Sequence, residues 1–319
     1  MREKRKVFVT RPLPFAMEQR FYRTFFRKFD VLVNPENRAL TEKELRQSLF
    51  DCDAVLSTVS DRLTADVLND ASRLRVISNY AVGLDNVDVE HAESLGITVY
   101  NIPDVVTDST ADLTMALLLA FVRQICPAQV FVREGRWGAW DPMLFRGEQL
   151  YGKTFGILGF GRIGKAVAKR AFAFGMRIIY CDPYVEDNSA EDVSFDDLLR
   201  ESDYISLHVP LTEDTKHIIN AASIARMKRK PILINMSRGA VVYTPALIRA
   251  LELGQIRGAA LDVTDPEPLP GNHPLGRFPN CLIVPHIGTA TKECRETMAR
   301  AAAGNILRHF EATNSVYRN

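Results

Sequence analysis

Three side chains of complementary chemistry each follow a short apolar run. They are Arg238 in Asn235-Met236-Ser237-Arg238-Gly239, Glu267 in Asp262-Val263-Thr264-Asp265-Pro266-Glu267-Pro268, and His286 in Val284-Pro285-His286-Ile287-Gly288. Reducing a 2-keto acid needs a cation for the carboxylate, a proton donor for the carbonyl oxygen, and a hydride. Arg238 offers a planar fork of donors suited to a carboxylate and an adjacent carbonyl. His286 paired with a carboxylate is a general acid/base, with Glu267 orienting the imidazole. Singly, each residue has a plainer reading: a surface turn for Arg238, a rigid solvated loop for Glu267, a satisfied structural histidine for His286. The set is far more specific than its parts.

A hydride source is implied by Gly159-Phe160-Gly161-Arg162-Ile163-Gly164, which fits G-x-G-x-x-G between the strand-like Phe155–Leu158 and the amphipathic Lys165–Ala173. The first glycine permits a tight turn and the second lets backbone approach a pyrophosphate. The third lets helix and strand pack closely, and the helix N-terminus supplies unpaired N–H groups. Asp182 ends the next strand, about 20 residues on; a carboxylate there accepts ribose hydroxyls and repels a 2′-phosphate, favouring NAD over NADP. A glycine turn without a nucleotide is the competing reading, and the complete strand–loop–helix–acid order argues against it. Arg162 reads either as a pyrophosphate contact or as a solvent-facing side chain, and Asp262 as tuning the cofactor end of the site or capping a turn. His208, at a strand end, is expected to line the adenosine side.

These residues must be held by an alternating α/β chain. Strands are expected at Lys6–Thr10, Val31–Val33, Ala54–Thr58, Arg75–Asn79 and Thr98–Asn101, then at Thr154–Leu158, Arg177–Cys181, Tyr204–His208, Ile232–Asn235, Gly258–Asp262 and Leu282–Val284. A capping box at Thr41 and Glu44 opens one helix, and another opens at Thr64. One long helix is expected from Ser109 to Arg133, then an aromatic excursion over Gly135–Gly152, and a final helix over Lys292–Glu311. The alternation predicts two α/β domains, each with a parallel sheet and crossover helices.

Forty basic and thirty-nine acidic side chains among 319 residues leave a formal charge of +1, no field to draw nucleic acid or a membrane surface. The basic run Arg226–Lys230 reads as a solvated helix end. Five scattered cysteines form no metal-like spacing and read as reduced thiols. The basic start lacks a signal peptide's apolar core, and the longest apolar stretch, Met115–Val122, is far below the ~20 residues that span a bilayer. A soluble, cytoplasmic protein is expected, with no nucleic acid, membrane or metal partner.

With these residues in place the chain resembles the D-isomer-specific 2-hydroxyacid dehydrogenases over nearly its whole length. The resemblance is carried by Asn79-Tyr80-Ala81-Val82-Gly83-Leu84-Asp85, the Gly159–Gly164 loop, His208-Val209-Pro210-Leu211-Thr212, Asn235–Gly239, Asp262–Pro268 and Pro285–Gly288. It implies the same roles for Arg238, Glu267 and His286, and backbone amides of Val82 and Gly83 that hold the substrate carboxylate. It implies NAD contacts at Thr107, Gly159, Gly161, Arg162, Ile163, Gly164, Asp182, Val209, Pro210, Thr215, Met236, Ser237, Asp262 and Gly288. The implied fold is two doubly wound parallel-sheet domains. A Rossmann dinucleotide-binding domain (residues 102–288) is inserted in a discontinuous flavodoxin-like substrate domain (residues 1–101 and 289–319).

Within the family, Asp104–Asp112, Trp140-Asp141-Pro142, Asp265–Pro270 and His286–Thr291 are most similar to glyoxylate/hydroxypyruvate reductases. That likeness implies a homodimer in which the Trp140 loop reaches the partner's site, against a plainer role for Trp140 packed within the dimer arm. Asp182 departs from NADP-using members, and Thr289 replaces a common serine; Met236 and Cys181 have no physical account. The alternatives are a 3-phosphoglycerate- or 2-ketogluconate-type dehydrogenase of the same family, and an NAD(H)-sensing corepressor-like protein.

Overall fold

The structure, a computed structural model, describes residues 4–316. Its inner apolar runs, at 54–57, 76–79, 154–158, 204–207, 232–235 and 258–261, are buried on both faces, as parallel strands covered by helices require. The described chain divides into two compact units, residues 4–106 with 290–316 and residues 107–289; residues 1–3 and 317–319 lie outside the described residues.

In the first unit, β1 (Lys6–Val9), β2 (Asp30–Val33), β3 (Ala54–Ser57), β4 (Val76–Asn79) and β5 (Thr98–Tyr100) form one sheet in the order β2-β1-β3-β4-β5. All four pairings are parallel, Val7 lying against Val31 and Ala54, and Val76 against Ala54 and Thr98. That is the flavodoxin-like order. The helix Glu42–Leu49 starts with the expected capping box: Thr41 Oγ1 accepts from Glu44 N, and Glu44 Oε2 from Thr41 N at 2.8 Å. The last helix, Lys292–Val316, longer than expected, buries Met298, Ala299, Ala302, Ala303, Ile306 and Phe310, a stripe with helical spacing. Ser78 of β4 donates to Ala302 O at 2.9 Å, so this returning helix is fastened to the sheet by polar as well as apolar contact.

The edge of this unit differs from the expected one, because Ile102–Val106 stay with it and Thr289 does not. Ile102 N donates to Ala81 O at 2.9 Å, and Val105 O accepts from Cys294 Sγ at 3.3 Å. The five-stranded sheet therefore keeps the chain beyond its last strand.

The second unit contains β6 (Thr154–Leu158), β7 (Arg177–Cys181), β8 (Glu191–Asp192), β9 (Tyr204–Leu207), β10 (Ile232–Asn235), β11 (Gly258–Leu261) and β12 (Cys281–Ile283). Its order, β12-β11-β10-β9-β6-β7-β8, is parallel throughout and reverses direction of growth at β6. A ligand crevice forms at such a reversal, outside the carboxyl ends of the strands.

The single helix expected over Ser109–Arg133 is two, Thr107–Val122 and Ile125–Arg133, bent by 60°. Gln124 takes a left-handed φ of 52° at the break, and Pro127, with no N–H to donate to Arg123 O, fits the first turn of a new helix and not the interior of a continuous one. Glu148 N donates to the freed Val122 O at 3.1 Å, and a Cβ on Gly147 would stand 2.3 Å from that oxygen. The returning chain thus caps the break, and only glycine fits there. Among the described residues no single helix is long and apolar enough to cross a membrane.

Candidate active site

Each candidate side chain of the second unit leaves the carboxyl end of a strand. Beyond β12, His286 adopts φ 52°, an unfavourable region for a residue with a side chain. The turn is held there by Asp262, just beyond β11. Asp262 O accepts from His286 N at 2.9 Å, Oδ1 from Ile287 N at 2.6 Å and Oδ2 from Gly288 N at 2.9 Å. Asp262 is 3% exposed. Burial pushes its pKa up, opposed by the two amides and the charge of His286. Asp262 thus caps the turn, as one of its two readings has it. Gly288 O in turn accepts from Ser109 Oγ at 2.7 Å, tying the turn to the first helix of the unit.

The His286 ring meets Glu267, Nδ1 standing 2.5 Å from Oε1. Thr264 N donates to the other oxygen, Oε2, at 3.3 Å. Burial pushes Glu267 up, but the His286 hydrogen bond and charge, the Thr264 amide and the charge of Arg238 outweigh it. Its pKa lies below the ordinary glutamate value. With Nδ1 occupied by a carboxylate, Nε2 is the nitrogen left to exchange a proton with a ligand.

Arg238 leaves the end of β10 in extended backbone. Asn235 shapes that turn: its Nδ2 donates to Arg238 O at 2.9 Å, and its Oδ1 accepts from Ser237 N at 3.1 Å and Ser237 Oγ at 2.9 Å. The next residue must be glycine. A Cβ on Gly239 would sit 2.0 Å from Thr264 O, so the arginine and glutamate loops pack backbone on backbone. Through that contact Arg238, Glu267 and His286 are gathered into one cluster.

The glycine loop fits a dinucleotide. Gly159 has φ +90°, and a Cβ there would lie 2.8 Å from the His208–Val209 backbone; one on Gly164 would lie 2.3 Å from Gly159 O. Gly161 N-caps the helix Arg162–Ala173 with no side-chain cap and no acid in its first turn, and space beside its Cβ position is open. Uncapped N–H groups facing open space form a pyrophosphate cradle. Asp182, after β7, accepts from Phe160 N at 2.7 Å and Tyr184 N at 2.9 Å. It therefore latches the loop, and each oxygen keeps a lone pair for a further donor. Ile163 is half-buried and Arg162 exposed.

Other expected cofactor positions also make contacts within the chain. Met236 is buried in the core beside β6, and Ser237 is buried and bonded to Asn235. Thr215 Oγ1 donates to Pro210 O at 2.6 Å and accepts from Thr212 N at 2.8 Å, so it shapes the loop holding Val209 and Pro210. Thr107 begins its helix. His208 bonds Ser206 through Nε2 at 2.8 Å, and burial pushes its pKa down to about 3, so it stays neutral. In the first unit, Val82 and Gly83 lie on the loop after β4, and Val82 is 38% exposed. Trp140 is 81% exposed. Residues without an assigned role in the sequence include Asn235, Gly239 and Ser109, whose contributions are contacts between distant segments that no local spacing announces. Among the described residues no group of His, Cys, Asp and Glu has the arrangement of a metal site.

The depressed Glu267 pKa sets a pH dependence. Its charge contributes stability that is complete above the unfolded value of about 4.3 and lost as pH falls through the lower folded value. Glu267→Gln is expected to melt below wild type at pH 7, with the gap closing in acid. The gap is small, at most about 1 kcal/mol, since over a third of the side chain is exposed. Thermal melts across pH check this, and a gap that widens in acid would contradict it.

Comparison with known proteins agrees with this geometry. Residues 115–288 match the family model of the D-isomer specific 2-hydroxyacid dehydrogenase NAD binding domain. A glyoxylate reductase of Thermococcus litoralis is 46% identical over 95% of this chain and 93% of its own. The crystal structure of a Thermus thermophilus protein, 45% identical, aligns with a TM-score of 0.91 over 96% of this chain and 97% of its own. An Aquifex aeolicus D-lactate dehydrogenase, solved with NAD and lactic acid, is 28% identical with a TM-score of 0.82, covering 96% of each chain. A glycine loop built for a dinucleotide, a family match that includes that loop and relatives aligned over nearly the whole chain together place this chain among the D-isomer-specific 2-hydroxyacid dehydrogenases, NAD-dependent oxidoreductases.

Proposed function

We propose that the protein reduces glyoxylate, or a small 2-keto acid like it, to the D-2-hydroxy acid. The observation that carries this is the His286–Glu267 bond of 2.5 Å beside the Arg238 loop; the glyoxylate reductases at 42–46% identity supply the substrate class. When bound, NADH supplies the hydride that adds to the carbonyl carbon. Arg238 binds the carboxylate and carbonyl oxygen, and the amides of Val82 and Gly83 hold the carboxylate. His286 gives the Nε2 proton to the oxygen that becomes the hydroxyl, and Glu267 orients the ring and balances its charge. Asp182 selects NADH over NADPH by repelling a 2′-phosphate.

The protein is further proposed to be a homodimer joined through the segment after the bent helix pair. Trp137 (62% exposed), Trp140 (81%) and Met143 (63%) stand on that segment, and large exposed apolar side chains so close together mark an interaction surface. Trp140 is proposed to reach the partner's site and narrow it toward small substrates.

Four measurements test these assignments. Absorbance loss of NADH, and separately NADPH, is followed on glyoxylate, hydroxypyruvate, pyruvate, 2-ketogluconate and phosphohydroxypyruvate. Fastest turnover is expected with NADH on glyoxylate or hydroxypyruvate; silence throughout, with NADH still bound, would favour a sensing protein. His286→Ala is expected to lower kcat by about 10²–10⁴-fold while the NADH Kd holds, and near-normal turnover would remove its acid/base role. Sedimentation should give twice the 35.9 kDa chain mass. Trp140→Ala should then raise the relative rate on larger keto acids, and an unchanged preference would confine Trp140 to packing.

A further inference from the structure

The loop after β4 is backed by side chains to which no role has been assigned. Three consecutive peptide carbonyls there each accept from an N–H donor of the same unit. Ala81 O accepts from Ile102 N at 2.9 Å, Val82 O from Asn101 Nδ2 at 2.7 Å, and Gly83 O from Asn79 Nδ2 at 3.0 Å. The N–H ends of those same peptides belong to Val82, Gly83 and Leu84, and among the described residues none of the three donates a hydrogen bond within the chain. A bond accepted at the carbonyl polarises the peptide and makes its N–H a stronger donor. Successive outward N–H groups of this kind form an anion-binding concavity.

The two asparagines are themselves held. Asn79 is fully buried; its Oδ1 accepts from Ser57 Oγ at 2.9 Å, and its Nδ2 also donates to Asn86 Oδ1 at 2.9 Å. Asn86 Nδ2 extends the network to Thr58 O at 3.0 Å and Asp61 O at 2.9 Å. Asn101 O accepts from Asn305 Nδ2 of the last helix at 3.2 Å. The loop's carbonyls are therefore anchored to the ends of β3, β4 and β5 and to a helix. A site built on rigid elements keeps its geometry in a way a free loop does not.

We propose that Asn101 and Asn79 are positioning residues that fix and polarise the Val82, Gly83 and Leu84 amides as a cradle for the substrate carboxylate, with Leu84 N–H a third donor. This rests on the assignment of Val82 and Gly83 to the carboxylate. Asn101 is only half-buried, which makes it the site to substitute. In the full-length protein, with saturating NADH and glyoxylate varied, Asn101→Ala is expected to raise KM about tenfold, the loss of one net hydrogen bond. The kcat should stay within about twofold, as loss of uniform binding predicts, and the NADH Kd and Tm should hold. Asn101→Asp keeps the shape but sets a carboxylate against Val82 O, and should raise KM further. A KM within about twofold of wild type in both variants, with or without a lower Tm, marks a merely structural asparagine and overturns the proposal. Gly83→Pro, which deletes one cradle N–H, tests the underlying assignment. If it binds NADH normally and keeps its KM, the carboxylate assignment falls and the proposal with it. If its KM rises while the Asn101 variants keep theirs, only the bracing role falls.

Discussion

The second unit's chemistry depends on one buried carboxylate. Asp262 spends both oxygens and its own carbonyl on three successive main-chain amides, those of His286, Ile287 and Gly288. Burying a carboxylate is costly unless hydrogen bonds replace its water, and here charge-assisted bonds to backbone do so. In exchange the turn is pinned with His286 at a positive φ, a conformation the residue would leave if the clamp were removed. The imidazole direction follows from that backbone, and Glu267 finds it at 2.5 Å only because it is fixed.

Parallel topology explains why so many distant residues converge. The glycine loop follows β6, Asp182 follows β7, and His208 through Pro210 follow β9. Arg238 leaves β10, Asp262 leaves β11, and His286 lies beyond β12. In a sheet whose strands all run one way, every such residue lies at one edge. Backbone contact then tightens what topology brings near. The approach of Gly239 to Thr264 and of Gly159 to His208 leaves no space for a Cβ, so loops from neighbouring strands sit as close as main chains can. The same rule operates separately in the first unit, where the asparagine network spans the ends of β3, β4 and β5.

Much of this was legible in the sequence, for physical reasons that also mark where legibility ends. Buried parallel strands read as short apolar runs, and a dinucleotide loop has a glycine pattern dictated by close approach, so the sheets and the nucleotide site stood out. The break at Gln124 did not, because apolar spacing continues across it and Pro127 is tolerated in a first helical turn. What decides there is Glu148 reaching Val122 O from far along the chain. For Met236 and Thr215 the local spacing gave no sign of the core packing and the Pro210 carbonyl bond that also engage them. Asn101 was hidden for the opposite reason, since a polar residue after a strand looks like any turn until its partner, Val82 O, is known.

Three carboxylates surround the nucleotide and proton-transfer regions, and their environments divide the work. Asp262 is raised by burial and has both oxygens committed to amides, so its charge is spent on geometry. Glu267 is partly buried too, yet the His286 ring and the Arg238 charge carry it below the ordinary range. It stays ionised wherever the imidazole needs a counter-charge. Asp182 bonds the amides of Phe160 and Tyr184, each oxygen keeping a lone pair for a further donor. Environments that push carboxylates in opposite directions separate acid/base partners from supports. By that criterion Glu267, bonded to the titratable imidazole, is set apart from Asp262, although Asp262 is the more deeply buried and bonds the His286 main chain directly. Burial alone would have chosen the wrong one; what separates them is whether the carboxylate's partners are fixed amides or a group that gains and loses a proton.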